Sequence, residues 1–300
     1  MEIRDNILTT YSSKKTSGKS FFIIPDVVTH IANSVFCGRT GLTSITLPNS
    51  LTHIGERAFS GCTGLTSITF PDSLTHVGER AFSGCTGLTS ITFPGSLTHI
   101  GKYAFFECSG LTSITLPNSL TYIGEHAFRK CTGLTSITLP NSLTHIHNFV
   151  FYECTNLTSI TLPNSLTHIH KFVFCECTNL TSIKLPNSLT HIGDYAFMEC
   201  TGLTSVTLPN SLTHISDNAF KIKKIKGEYI KYGEYKCDNK PNECPICLDS
   251  FEINDDIIIL ECFYSHYFHF SCIDAKHDKC PLCRLPTTFV ETKIKLIHIV

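Results

Sequence analysis

From Leu42 onward, apolar and polar positions alternate in a block that recurs every 23 residues with little change. The unit reads LTSITLPNSLTHIGERAFSGCTG, and copies begin at Leu42, Leu65, Leu88, Leu111, Leu134, Leu157, Leu180 and Leu203. A degenerate unit with Pro25, His30 and Phe36 in register precedes them, and the last copy stops after Phe220. A fixed period of this length predicts a solenoid, in which no unit closes its own core and each must stack on the next. Ser44-Ile45-Thr46-Leu47 alternates as a half-buried strand does, so Ile45 and Leu47 are expected to point inward and Ser44 and Thr46 outward. Pro48-Asn49-Ser50 supplies a turn, and Leu51 and Ile54 return to the core. Gly55 to Phe59 is expected to form a short helical turn that lowers Ala58 and Phe59 onto the coil. Gly61 and Gly64 then permit tight bends around the small Cys62. Stacked coils are expected about 4.8 Å apart along parallel ladders.

Near-identical units create columns. His30, His53, His76, His99, His145, His168, His191 and His214 share one register position, which Tyr122 interrupts. The plain expectation is an exposed column copied with the unit, whose rings, if close, lower one another's pKa by mutual repulsion. The Ser and Thr columns of the strand (Ser44, Thr46 and their equivalents) are the expected binding face. Departures from monotony mark where partner contacts are expected: His147, His170, Lys184 and the pair Phe149 and Phe172.

The flanks differ in character. Residues 1–18 carry few large apolar residues, which predicts a loose tail before a solenoid spanning 19–220. Residues 221–240 crowd Lys221, Lys223, Lys224, Lys226, Lys231, Lys236 and Lys240 around Tyr229, Tyr232 and Tyr235. Basic and aromatic residues interleave there as nucleic-acid contacts can. Glutamates interrupt the run, however, and a cap or solvated linker is preferred. Residues 289–300 form an apolar tail, with Ile294, Leu296, Ile297, Ile299 and Val300, expected to pack locally.

The formal net charge of −1 points to neither nucleic acid nor a membrane surface. No stretch has the apolar core of a signal peptide or the length of a membrane span. The 16 cysteines divide into six in a C-terminal cluster, seven at the fixed period, and Cys37, Cys175 and Cys237 left over. A fixed-period cysteine reads as a small buried apolar residue before it reads as a disulfide partner.

Candidate chemistry concentrates between Cys244 and Cys283. The order is Cys244-x2-Cys247, then Cys262-x3-His266-x2-His269-x2-Cys272, then Cys280-x2-Cys283, which makes eight potential zinc ligands. Zinc prefers four soft or borderline ligands in a tetrahedron, so eight imply two closed sites and two Zn²⁺ ions. The segment is too short to bury a sizeable core and would need metal as a staple. A disulfide framework is the rival reading, and histidines in register between the thiols argue against it. Cys237 and His277 fall out of register. Spacing alone leaves open whether the sites interleave or follow one another.

The spacing resembles the RING-H2 finger of many ubiquitin ligases over roughly 241–288. The resemblance implies a small α+β cross-brace fold. One zinc takes Cys244, Cys247, His269 and Cys272, and the other takes Cys262, His266, Cys280 and Cys283. It further implies a groove for a ubiquitin-conjugating enzyme at Ile246, Pro281 and Leu282. An arginine at the place of Arg284, directly after the last ligand, orients ubiquitin in active members of that family. The family commonly has a groove tryptophan, and this chain has no tryptophan.

The repeats resemble BspA-like leucine-rich repeats over about 19–220, a family used for binding and adhesion. Together these resemblances imply a RING-type ubiquitin ligase without a covalent ubiquitin intermediate, whose repeat arm recruits an unknown protein target. The alternatives are a non-enzymatic scaffold and a surface adhesin with disulfides. The ligands of the finger must stay reduced. That favours an intracellular location, cytosol over nucleus, or the host cytosol for a viral chain.

Overall fold

A computed structural model describes residues 1–10, 20–203, 206–216 and 218–220, with Ser20 by its backbone. It adds the strand backbones at 222–223, 229–230, 257–260 and 266–269. The repeats form a mainly β, parallel solenoid with one coil per 23 residues.

Each coil offers two short extended segments. The first is the Ser-Ile-Thr stretch, paired in parallel between neighbours, as in Ser90–Thr92 with Ser113–Thr115 and Ser136–Thr138 with Ser159–Thr161. The second is the His-Ile dipeptide. His30–Ile31, His53–Ile54, His76–Val77, His99–Ile100 and Tyr122–Ile123 lie side by side in one sheet, and His145–Ile146, His168–Ile169, His191–Ile192 and His214–Ile215 in another. The register pairs like with like, His53 against His76 and Ile54 against Val77, because the sequence period equals one coil.

Alternation sorts the side chains as expected. Ile45 and Leu47 are buried, Thr46 is exposed and Ser44 half-buried. Leu51, Ile54, Ala58, Phe59, Cys62 and Leu65 fill the interior at 0–2% exposure. The phenyl rings of Phe36, Phe59 and Phe82 stack one above the next with centroids 5.1 Å apart. Burying one such ring fully contributes about 1.5–3 kcal/mol, so the column is a main source of cohesion between coils. Each column cysteine fits under the ring stack, and Cys62 Sγ donates to the Phe36 carbonyl at 3.1 Å.

Two expectations are corrected. Gly55 to Phe59 is not a helical turn, and no helix occurs among the described residues. The amides there alternate between two acceptors. Ala58 N–H donates to Gly55 O at 3.3 Å within the turn, whereas Arg57 and Phe59 donate to Glu79 O and Ala81 O of the next coil at 2.8 Å. Arg57 sits at φ +51°, and this left-handed residue stops helical bonding from propagating.

The N-terminus is not a loose tail over residues 2–10. Glu2–Arg4 pairs antiparallel with Ile7–Thr10, and Ile7–Thr10 pairs parallel with His30–Ile31. Leu8 is fully buried against the first coil. A solenoid end would otherwise leave a ladder edge and core side chains open, and this hairpin covers both.

Candidate functional site

Two stretches are candidates for function, the C-terminal Cys/His stretch and the outer columns of the repeats. Within the former, Ile257–Leu260 pairs antiparallel with His266–His269, setting Leu260 opposite His266 and Ile257 opposite His269. Two of the expected ligands therefore begin and end one strand of a hairpin. Cys244, Cys247, Cys262, Cys272, Cys280 and Cys283 lie outside the described residues, as do Ile246, Pro281, Leu282 and Arg284. The donor set of six thiols and two imidazoles suits zinc, whereas calcium and magnesium take oxygen. Among the described residues no group of three or more His, Cys, Asp or Glu side chains could hold a metal ion.

The repeat columns are built by the coil geometry. On the strand face Thr69, Ser90, Thr92, Ser113 and Thr115 are exposed. Lys184 takes the Thr position in a later coil, bridges to Thr207, and borders a hollow of ≈ 680 Å³ shared with Asn187, Asn210 and Ser211.

The histidines stack in two runs, from His30 to Tyr122 and from His145 to His214. His30–His53 and His53–His76 centroids are 4.5 Å apart, Tyr122 continues the stack 4.3 Å from His99, and His168–His191 lies at 4.4 Å. Thr52 Oγ1 donates to Thr29 O at 3.1 Å and lies 2.8 Å from His53 Nδ1. With its proton already used, that hydroxyl accepts from Nδ1–H, which leaves Nε2 of the neutral ring as the acceptor. The same arrangement holds at His76 and His168. Burial lowers the pKa of His53, with His76 and His30 adding to the effect. His168 is lowered by burial and then by His145 and His191. The expected direction holds, and desolvation, not mutual repulsion, is the larger cause.

Phe149 and Phe172 belong to a longer second column. Tyr103, His126, Phe149, Phe172 and Tyr195 stack at 4.4–4.8 Å, with the Arg80 guanidinium 4.5 Å above Tyr103. Burial, followed by the Arg129 charge, pushes His126 down to about 4. Sequence reading picked out two members of this column. Following the register position of Arg57 down the 23-residue repeat, through Arg80 and Tyr103, would have found the rest.

The nine described cysteines are free. The seven in register are buried, as expected of fixed-period cysteines; Cys175 is buried as well, and Cys37 is exposed. Burial pushes the Cys62 thiol up to about 12. No helix among the described residues is long and apolar enough to cross a membrane.

A coil of this kind, repeated from the N-terminal hairpin onward, defines a leucine-rich repeat solenoid. The family model of the BspA type leucine rich repeat region matches residues 8–115 and 98–226, and the chain belongs to this family. A Ring finger domain is also present, matched at residues 242–284.

A leucine-rich repeat protein from Bacteroides ovatus superposes with a TM-score of 0.62 at 35% identity, over 66% of this chain and 51% of that one. The Treponema pallidum leucine rich repeat protein gives a TM-score of 0.55 at 35% identity, over 58% of this chain and 82% of that one. The C-terminal part is 34% identical over 67 residues to the rat E3 ubiquitin-protein ligase RNF130, covering 21% of this chain and 16% of that protein. The chain thus spans about a sixth of the length of that curated relative.

Proposed function

We propose that the chain is a RING-type E3 ubiquitin-protein ligase whose repeats recruit a protein target. The observation that carries this reading is the Ring finger match at 242–284 over a complete set of eight ligands. Likeness to rat RNF130, a named ubiquitin ligase, supports it within that segment.

In this reading two zinc ions hold the finger folded and take no part in the chemistry of transfer. The interleaved assignment gives Cys244, Cys247, His269 and Cys272 to one ion and Cys262, His266, Cys280 and Cys283 to the other. A consecutive assignment also divides His266 from His269, so the hairpin is compatible with both. Ile246, Pro281 and Leu282 form the docking surface for a ubiquitin-conjugating enzyme, with Ile246 as the apolar anchor. Arg284 bridges that enzyme and ubiquitin, a task suited to a guanidinium fork and not to lysine. No side chain of this chain forms a covalent bond to ubiquitin. Rate comes from holding the thioester in one orientation and from the raised local concentration of a tethered target lysine.

The solenoid occupies 19–220 in this proposal, with residues 2–10 added as its cap. Residues 221–240 join it to the finger, and 289–300 form the tail. The repeats offer the hydroxyl face, with Lys184 its charged exception, to a protein target. The cytosol, or that of a host cell, is the proposed location, because the thiol ligands must stay reduced.

The test is ubiquitin transfer in vitro with a panel of conjugating enzymes. Wild type is expected to build chains, and Arg284→Ala and Ile246→Ala to lose most activity while keeping their zinc. Activity indifferent to both substitutions would remove the groove assignment. The second reading, a non-enzymatic scaffold, rests on the absence of any tryptophan to wall the groove. Inactivity of wild type with every conjugating enzyme, in a protein that retains zinc, would favour it.

A further inference from the structure

The stack is uneven at one junction. Along the His-Ile edge each coil donates three amides to its predecessor: Thr52 and His53 to Thr29 O at 2.8 and 3.3 Å and Gly55 to Ile31 O at 2.8 Å, and so on to Thr121, Tyr122 and Gly124. Among the described residues this series lapses at the next coil. Neither Thr144 nor His147 donates to Thr121 or Ile123, and Tyr122–Ile123 and His145–Ile146 belong to separate sheets. It resumes with Thr167 to Thr144 O at 2.9 Å and His170 to Ile146 O at 3.1 Å.

The phenylalanine column records the same dilation. Its spacing widens from 5.1 Å at Phe59–Phe82 through 5.3 Å at Phe82–Phe105 and 5.5 Å at Phe105–Phe128 to 5.7 Å at Phe128–Phe151 and Phe151–Phe174, and returns to 5.2 Å at Phe174–Phe197.

Two substitutions in the unit coincide with it. Where the coils beginning at Leu42, Leu65, Leu88, Leu111 and Leu180 have glycine, those beginning at Leu134 and Leu157 have His147 and His170. A Cβ on Gly124, the glycine one coil before His147, would lie 2.6 Å from Lys102 N, so a large side chain entering this glycine series at His147 crowds the coil before it, whereas His170, stacked on His147, still reaches Ile146 O at 3.1 Å. The same two coils bury Val150 and Val173 where others bury Ala104 or Ala127, which thickens the core.

The ring stack is doubled here. His147 lies 5.5 Å from His170 and 5.1 Å from Tyr122, and His145 lies 4.7 Å from His168 and 5.7 Å from His170. His170 Nε2 is buried without a hydrogen-bond partner. Rings stacked face to face do not converge their nitrogens on one point, so the cluster is unsuited to a metal ion. The carboxylate acting on both His147 and His170 is Glu125, already engaged by Lys102 at 3.1 Å and by Asn148 Nδ2 at 3.1 Å. Lys171, next to His170, is paired with Asp194 at 3.2 Å, and His126 occupies the adjoining column. No free carboxylate among these groups would neutralise an added proton.

We propose that the junction between the coils of residues 111–133 and 134–156 is an acid-opened hinge: protonation of His147 and His170 parts two coils whose backbone bonds to each other, among the described residues, are those of the His126, Phe128 and Lys130 amides to Asn148 O, Val150 O and Tyr152 O. Burial first, and then neighbouring histidines, hold both rings below the usual histidine range in the closed junction. Opening admits water and restores their ordinary value of about 6.5. Below that pH the open form binds more protons, so it gains population as pH falls; above it the junction stays closed. This inference does not depend on the ligase reading.

Hydrogen exchange of the full chain, read by mass spectrometry at pH 7.5 and 5.5 and corrected for intrinsic rates, tests it. Within 121–148, the amides of His126, Phe128 and Lys130, which bond across the junction, are expected to lose about tenfold or more of their protection on acidification. Amides of the equivalent stretch 75–102 are expected to hold theirs. The double variant His147→Gly, His170→Gly should close the ladder and abolish the response. His147→Gln with His170→Gln should keep the junction poorly protected at both pH values and remove the response, and it decides the matter if the glycine variant fails to fold. A response spread evenly along the histidine column, or one that survives in the glutamine variant, would overturn the proposal.

Discussion

Each column cysteine donates its thiol hydrogen to a phenylalanine carbonyl in the preceding coil, at 3.1 Å from Cys108 to Phe82 and 3.2 Å from Cys154 to Phe128. Burial raises every one of these thiols, so thiolate, the reactive form, is scarce at neutral pH. In the native, zinc-replete protein, iodoacetamide followed by peptide mass spectrometry should label Cys37 within minutes. Cys62, Cys85, Cys108, Cys131, Cys154, Cys177 and Cys200 should stay unlabelled until the chain is denatured. Labelling of the column at the rate of Cys37 would contradict the packing. The period made this burial legible from the sequence. Cys175 was not legible, because its register position carries Ser60, Ser83 or Met198 in other coils, and only the local packing encloses it.

A coil is held by bonds that run to its neighbours rather than within itself, and this decides its conformation. The stretch from Gly55 to Phe59 has the composition of a helical turn, and its intrinsic preference is overridden once Arg57 and Phe59 find acceptors one coil away. The strand reading fared better because alternation follows from having one wet and one dry side, which a coil also has. Close stacking makes glycine positions unequal. A Cβ on Gly78 would lie 2.7 Å from Ile54 O, whereas one on Gly95 meets nothing within 4 Å. Gly78→Ala is therefore expected to cost about 1–3 kcal/mol by overpacking. Gly95→Ala should gain about 0.4–1 kcal/mol by restricting the unfolded chain. Thermal melts of the two variants check this; equal melting temperatures would mean that the coils are not packed as closely as described.

Across the whole molecule, stability is close to a sum over coils and their interfaces, with the hairpin at residues 2–10 closing one end. The proposed finger would draw its stability from a different source, metal in place of core. Exhaustive chelation is accordingly expected to abolish ubiquitin transfer while leaving the β signal and main melting transition of the solenoid within a few degrees. Transfer that persists without metal would refute the finger as the seat of activity. Loss of the solenoid transition would show that its cohesion needs the metal after all.

By itself the sequence determined the coil and its inward and outward faces. Each depends on residue type at a fixed spacing, and a period of 23 residues displays that spacing eight times over. Only the tertiary structure decided the turn geometry, the capping hairpin and the loosened junction beside His147. These depend on which neighbour receives a hydrogen bond and on how near one backbone comes to the next, and neither distance is written in the order of residues.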